Sequence, residues 1–125
     1  MKVAIKQGPG YMLVSLSGTF DAHWAGAVGD RISFSIQEYS QGRPLDVDLI
    51  VDLSEVAYIS SGAIRVLLEL HRRIEGAGRK FAVCNPAPQV SKVMQTSGLY
   101  NVFAFYPSVE AAARTLAGFR SPRIP

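Results

Sequence analysis

The chain has 125 residues, 48% of them apolar and 18% charged, which is one domain's worth of sequence and too apolar for a disordered segment. Its single cysteine, Cys84, excludes an intrachain disulfide and a thiolate metal cage. No apolar run reaches the roughly 20 residues of a membrane span, and the opening MKVAIKQGPG lacks the apolar stretch of a signal peptide. A cytoplasmic protein without membrane contact is therefore expected. The formal charge of +3 is unevenly spread: residues 1–60 carry four bases against seven acids, and residues 61–125 nine bases against three. These bases are scattered, with one dense group, Arg72-Arg73 and Arg79-Lys80, near a helix end, so nucleic acid is not expected as a partner.

Taken in chain order, Lys2–Gln7 and Tyr11–Ser17 read as two strands joined by a Gly8-Pro9-Gly10 turn, a hairpin. Gly18-Thr19-Phe20-Asp21 breaks the second strand and offers a capping region. From Ala22 to about Tyr39, Trp24, Ala27, Val28, Ile32, Ser35, Ile36 and Tyr39 recur at helical spacing until Gln41-Gly42-Arg43-Pro44 stops the helix. Val47–Leu53 is a short apolar run with little alternation, the pattern of a central strand covered on both faces. A loop is expected next, then a helix from Gly62 to about Glu75, with apolar positions 63, 66, 67, 70 and 74 on one side and Arg65, Glu69, Arg72 and Arg73 on the other. Gly76-Ala77-Gly78 ends that helix, and Lys80–Cys84 follows as a buried strand. Pro88 opens a helix running to about Thr96, closed by Gly98. Val102–Tyr106 is the last strand, and Ser108 caps a final helix over Val109, Ala112, Ala113 and Leu116. The order β-β-α-β-α-β-α-β-α specifies one α/β domain, a mixed sheet with about four helices, over residues 1–118, with residues 119–125 a flexible tail.

Signals of catalysis are weak along the whole chain. His23 and His71 lie far apart without cysteine or carboxylate at ligand spacing, so three or four convergent metal ligands cannot be assembled. Gly8-Pro9-Gly10 leads into a strand rather than a helix, which excludes a phosphate loop there. Cys84 ends an apolar strand, where a free cysteine acts as a small buried hydrophobe. An enzyme is not expected, nor a cofactor. The informative join is Ser60-Ser61-Gly62, where two hydroxyls precede a helix. One of them can cap the unpaired N–H groups of the first turn, and both together can be no more than cap and turn. The same geometry suits a phosphate, since those donors and the helix dipole stabilise an anion there, while the added charge of roughly −1.5 to −2 would repel a docked partner.

Val51-Asp52-Leu53-Ser54, followed by Tyr58-Ile59-Ser60-Ser61-Gly62-Ala63-Ile64-Arg65-Val66-Leu67-Leu68, resembles the STAS domain of bacterial anti-sigma factor antagonists. Gly18-Thr19-Phe20-Asp21, the stretch Gly76 to Cys84, and Val90 to Phe105 with Ser97-Gly98-Leu99 extend the likeness over about residues 3–117. The resemblance implies a sheet with helices packed on one side and a role in partner switching. Such an antagonist binds an anti-sigma factor, a serine kinase with a histidine-kinase-like ATPase fold, and frees the sigma factor. Phosphorylation of one serine breaks that complex, and a PP2C-type phosphatase restores it. Carried onto this chain, the acceptor is Ser61; nucleotide and Mg²⁺ belong to the kinase. Family members often have aspartate where this chain has Ser60, which makes Ser60 an alternative acceptor, and Gly62-Ala63 reverses the commoner order of a small residue before glycine. The partner face implied comprises Asp21, His23, Ser60, Ser61, Gly62, Arg65, Glu69 and Arg72. A second reading from the same resemblance is the STAS subunit of a lipid ABC transporter, bound to its ATPase without phosphorylation.

Overall fold

A computed structural model describes residues 1–120, with side chains to residue 118. Strands β1 (Lys2–Gly8) and β2 (Tyr11–Phe20) form the expected antiparallel hairpin. Contrary to expectation, β2 does not stop at Gly18. Its pairing with the next strand slips between Ser15 and Ser17 and again between Gly18 and Thr19, and Gly18 absorbs the irregularity with a φ of +106°. What reads in sequence as a break is a bulge inside a longer strand.

Helix α1 (Ala22–Ser40) buries Ala25, Val28, Ile32 and Ile36. This stripe differs from the one the sequence suggested: Trp24 lies on its flank, 40% exposed, and Ala27 faces solvent. Strand β3 (Asp48–Ile59) is twelve residues long, so the loop expected after Leu53 is absent. The polar residues Ser54, Glu55 and Tyr58 disguise its second half, which pairs with β2 from Ser17–Glu55 to Phe20–Ile59. Next come α2 (Ser61–Gly76), β4 (Phe81–Cys84), α3 (Pro88–Thr96), β5 (Ala104–Tyr106) and α4 (Val109–Arg120). The last strand is shorter than expected because a 3₁₀ turn over Leu99–Asn101 claims its start: the Val102 and Phe103 N–H groups both donate to the Leu99 carbonyl, at 3.0 and 2.9 Å.

The sheet runs β1-β2-β3-β4-β5, with β1 antiparallel to β2 and the remaining pairs parallel. On one face α1, α2 and α3 close the main core over Val14, Leu16, Leu49, Val51 and Val83. Helices do not all lie on that face. Ala112 and Leu116 of α4 cover Ile50, Ala82 and Cys84 on the opposite one. The unalternating run in β3 requires this, since its apolar residues point both ways and each face needs a cover. Helix α4 continues to Arg120, past the boundary drawn at residue 118, and 121–125 lie outside the described residues. At the start of β3 and β4 the buried carboxylate of Asp48 accepts the Lys80 N–H at 2.9 Å and faces Arg79 at 3.4 Å, while Glu75 Oε2 accepts the Phe81 N–H at 3.0 Å. These contacts anchor the α2–β4 turn at the end of the sheet away from Ser60-Ser61.

Candidate functional site

Parallel strands β2 and β3 finish side by side, and the Ser60 N–H still donates to the Phe20 carbonyl at 3.0 Å. Each strand is followed at once by a helix. Asp21 caps α1, its Oδ1 accepting the Trp24 N–H at 3.3 Å. Ser60 caps α2, its Oγ accepting the Ala63 N–H at 3.1 Å. The two helix starts touch: a Cβ built on Gly62 would lie 3.5 Å from Ala22 Cα, an ordinary contact. Two helix N-termini, each with a partial positive charge, therefore share one end of the molecule.

The two hydroxyls of the join have separate fates. Ser60 is held extended, half-buried, with its oxygen spent on the cap. Ser61 is the first residue of α2, exposed, and its Oγ makes no hydrogen bond among the described residues. Beside that oxygen stand the N–H groups of Ser61 and Gly62, which come before the first intrahelical donor, the Ile64 N–H bonded to the Ser60 carbonyl at 3.0 Å. An anion carried on Ser61 Oγ would meet unpaired donors and the positive end of the helix.

From Ser61 the polar side of α2 continues through Arg65, Glu69 and Arg72, all exposed, opposite the buried Ala63, Leu67, Leu70 and Ile74. Glu69 also lines an open groove of about 320 Å³ between α1 and α2, with Gly26, Gly29, Asp30, Val66 and Arg73. Asp21 and His23 stand in the adjoining start of α1; the exposed His23 ring meets Trp24 edge-on at 5.0 Å. Thus Asp21, His23, Ser60, Ser61 and Gly62 gather at the two helix starts, and Arg65, Glu69 and Arg72 extend away along α2. Sequence reading missed two aromatics at this end, Trp24 and Tyr58, which is 52% exposed one residue before β3 ends. Trp24 matches the helical spacing of the buried stripe in sequence, and Tyr58 sits in a polar stretch that does not read as strand.

Other chemistry-bearing groups are tied up elsewhere. His71 packs on Phe81 and Phe103 at centroid distances of 5.6 and 5.4 Å. Cys84 is buried, and desolvation, with smaller contributions from Asp52 and Glu110, pushes its thiol from 9.0 up to about 12, which keeps it protonated and unreactive near neutral pH. Among the described residues no three His, Cys, Asp or Glu side chains converge as metal ligands, and no helix is long and apolar enough to cross a membrane.

The family model described as the STAS domain matches residues 2–112. The chain belongs to the STAS domain family. Its relatives include the anti-sigma F factor antagonist of Paenibacillus polymyxa, 24% identical over 106 residues, 85% of this chain and 86% of that one. An anti-sigma factor antagonist from Mycobacterium paratuberculosis superimposes with a TM-score of 0.78 at 22% identity, over 93% of each chain. SpoIIAA, an anti-sigma factor antagonist in its unphosphorylated form, gives a TM-score of 0.72 at 22% identity, over 91% of this chain and 96% of its own. These likenesses establish the STAS fold for this chain, and with it the strand-to-helix join that carries Ser60 and Ser61.

Proposed function

We propose that this STAS protein is an anti-sigma factor antagonist of a bacterial partner-switching module, acting in the cytoplasm as a binding protein rather than an enzyme. It docks on an anti-sigma factor with serine kinase activity, is released when that kinase phosphorylates Ser61, and is reset by a PP2C-type phosphatase. One observation carries the reading: Ser61 Oγ is exposed and unengaged at the mouth of α2, whereas the neighbouring Ser60 Oγ is committed to the cap. A kinase needs a hydroxyl that can leave its surroundings and enter another active site, and Ser61 meets that need at no cost to the helix. The docking face is formed by the two helix starts with Arg65, Glu69 and Arg72. Arg65 follows Ser61 by four residues, hence one turn along the same face. A phosphate on Ser61 draws that guanidinium to itself and away from the partner, in addition to placing a dianion in the interface.

Incubation with the cognate kinase and ATP, followed by phosphosite mapping, tests the proposal. The expected result is one phosphate on Ser61, lost in Ser61→Ala and kept in Ser60→Ala, together with an Arg65→Glu variant that binds the kinase at least about tenfold more weakly. Phosphate on another residue, or none where a positive control is modified, rejects the acceptor. Stable binding to an ATP-binding-cassette ATPase without phosphate transfer would assign the chain to a lipid transporter instead.

A further inference from the structure

Strand β1 forms one edge of the sheet: Lys2–Gly8 pairs with β2 in unbroken register and, among the described residues, has no strand on its other side. Natural edges of this length are blunted by a bulge, a proline, an inward-pointing charge or lysines along the edge, and β1 has only the last of these, so any partner strand must keep those lysines apart. Within β1 the charges are Lys2 and Lys6, both exposed, while Val3 and Ile5 turn toward the core and are only half-buried. Alongside runs the outer side of α1, where Phe34 is 62% exposed and Arg31 and Glu38 stand about one turn to either side, also exposed. An open groove of about 370 Å³ separates the two elements, lined by Ile5, Lys6, Phe34, Ser35, Glu38 and Tyr39.

We propose that this edge binds a second copy of the same chain, β1 against β1 in antiparallel pairing about a two-fold axis near Ile5. Charge selects the register. An axis through Ala4 would set Lys2 opposite Lys6 of the other copy, twice and on one face. An axis through Ile5 sets Lys6 opposite Ala4, Lys2 opposite Gly8 and Val3 opposite Gln7, with no like charges opposed. The same axis acts on α1, whose exposed row reads cation, phenyl, anion. Reversed against itself, the row brings Arg31 of each copy to Glu38 of the other, with the Phe34 rings near the axis. An isologous interface demands self-complementarity of this kind. Helices beside paired edge strands roughly 4.8 Å apart come within the roughly 8–10 Å at which helices pack. The face bearing Ser61, Arg65, Glu69 and Arg72 lies on α2, which packs on β3 and β4, so both copies keep it open. The dimer does not depend on the regulatory reading.

Sedimentation equilibrium of the full chain from about 1 µM to 1 mM tests the inference, with a micromolar Kd expected for an interface of this size. Arg31→Glu and Glu38→Arg should each weaken association at least about tenfold, and the double variant R31E/E38R should restore it to within about threefold. Arg31, Glu38 and Phe34, at which Phe34→Asp is an independent disruptor, are all exposed, and circular dichroism checks that each variant folds. A chain that stays monomeric over this range, a dimer indifferent to the single substitutions, or a double variant that fails to recover would each overturn the proposal.

Discussion

Ser60 and Ser61 carry the same chemical group on adjacent residues and do different work. Backbone pairing separates them: the Ser60 N–H bonded to Phe20 holds residue 60 extended, with φ −95° and ψ 169°, so its hydroxyl turns back onto the first turn of α2. The sequence exposes the pair but not the division of labour, because that depends on where the pairing of two distant strands ends. Ser60→Ala should therefore cost about 1 kcal/mol of folding stability, whereas Ser61→Ala should stay within about 0.5 kcal/mol of the wild type; chemical denaturation distinguishes the two. Equal losses would mean that the cap is shared. Cys84 gives a second prediction at this scale. With its thiol raised from 9.0 to about 12, the folded chain keeps a proton that the unfolded chain releases. Its contribution to stability is complete below pH 9 and is lost as pH climbs toward 12. Replacing Cys84 by alanine should flatten the decline of stability across that interval relative to the wild type, and parallel curves would contradict the assignment.

Among the elements, legibility followed local signals. Helix α3 reads correctly as Pro88–Thr96 because proline opens it and Gly98, with φ +75°, lies just past its end. The second half of β3 does not read as strand, since its residues are polar and its pairing partner lies beyond a bulge some 40 positions upstream. Strand β5 is overread because Val102 and Phe103 are good strand formers that the 3₁₀ turn captures. The placement of α4 is invisible to periodicity, which yields an apolar stripe but not the face that receives it. Its role is testable: Leu116 is fully buried against Ile50, Ala82 and Cys84. Leu116→Ala should cost about 2–4 kcal/mol through lost transfer energy and the cavity left behind. A loss below about 1 kcal/mol would mean that α4 adds little to the second core.

For the molecule as a whole, the site lies at one end of a sheet whose stability is set elsewhere. The second core, the Asp48–Arg79 contact and the Glu75 bond to Phe81 lie away from the two helix starts, and the main core reaches them only from beneath, through Phe20, Ile59 and Ala63, while Ser61 itself stays exposed. Negative charge on Ser61 should then alter binding without loosening the fold, and the two effects should have opposite signs. At the first position of α2 an anion is favoured by the helix dipole, by about 0.3–1 kcal/mol when exposed, and Arg65 one turn on adds to the attraction. Against a docked partner the same charge must be stripped of water, and it takes Arg65 away from the partner without gaining a cation there, which costs several kcal/mol. Ser61→Glu should accordingly unfold at the same temperature as the wild type or slightly above it, yet bind the kinase at least about tenfold more weakly. Binding of Ser61→Glu at wild-type affinity would remove residue 61 from the interface. A marked fall in its melting temperature would instead show that the switch works by loosening the start of α2 rather than by repelling the partner.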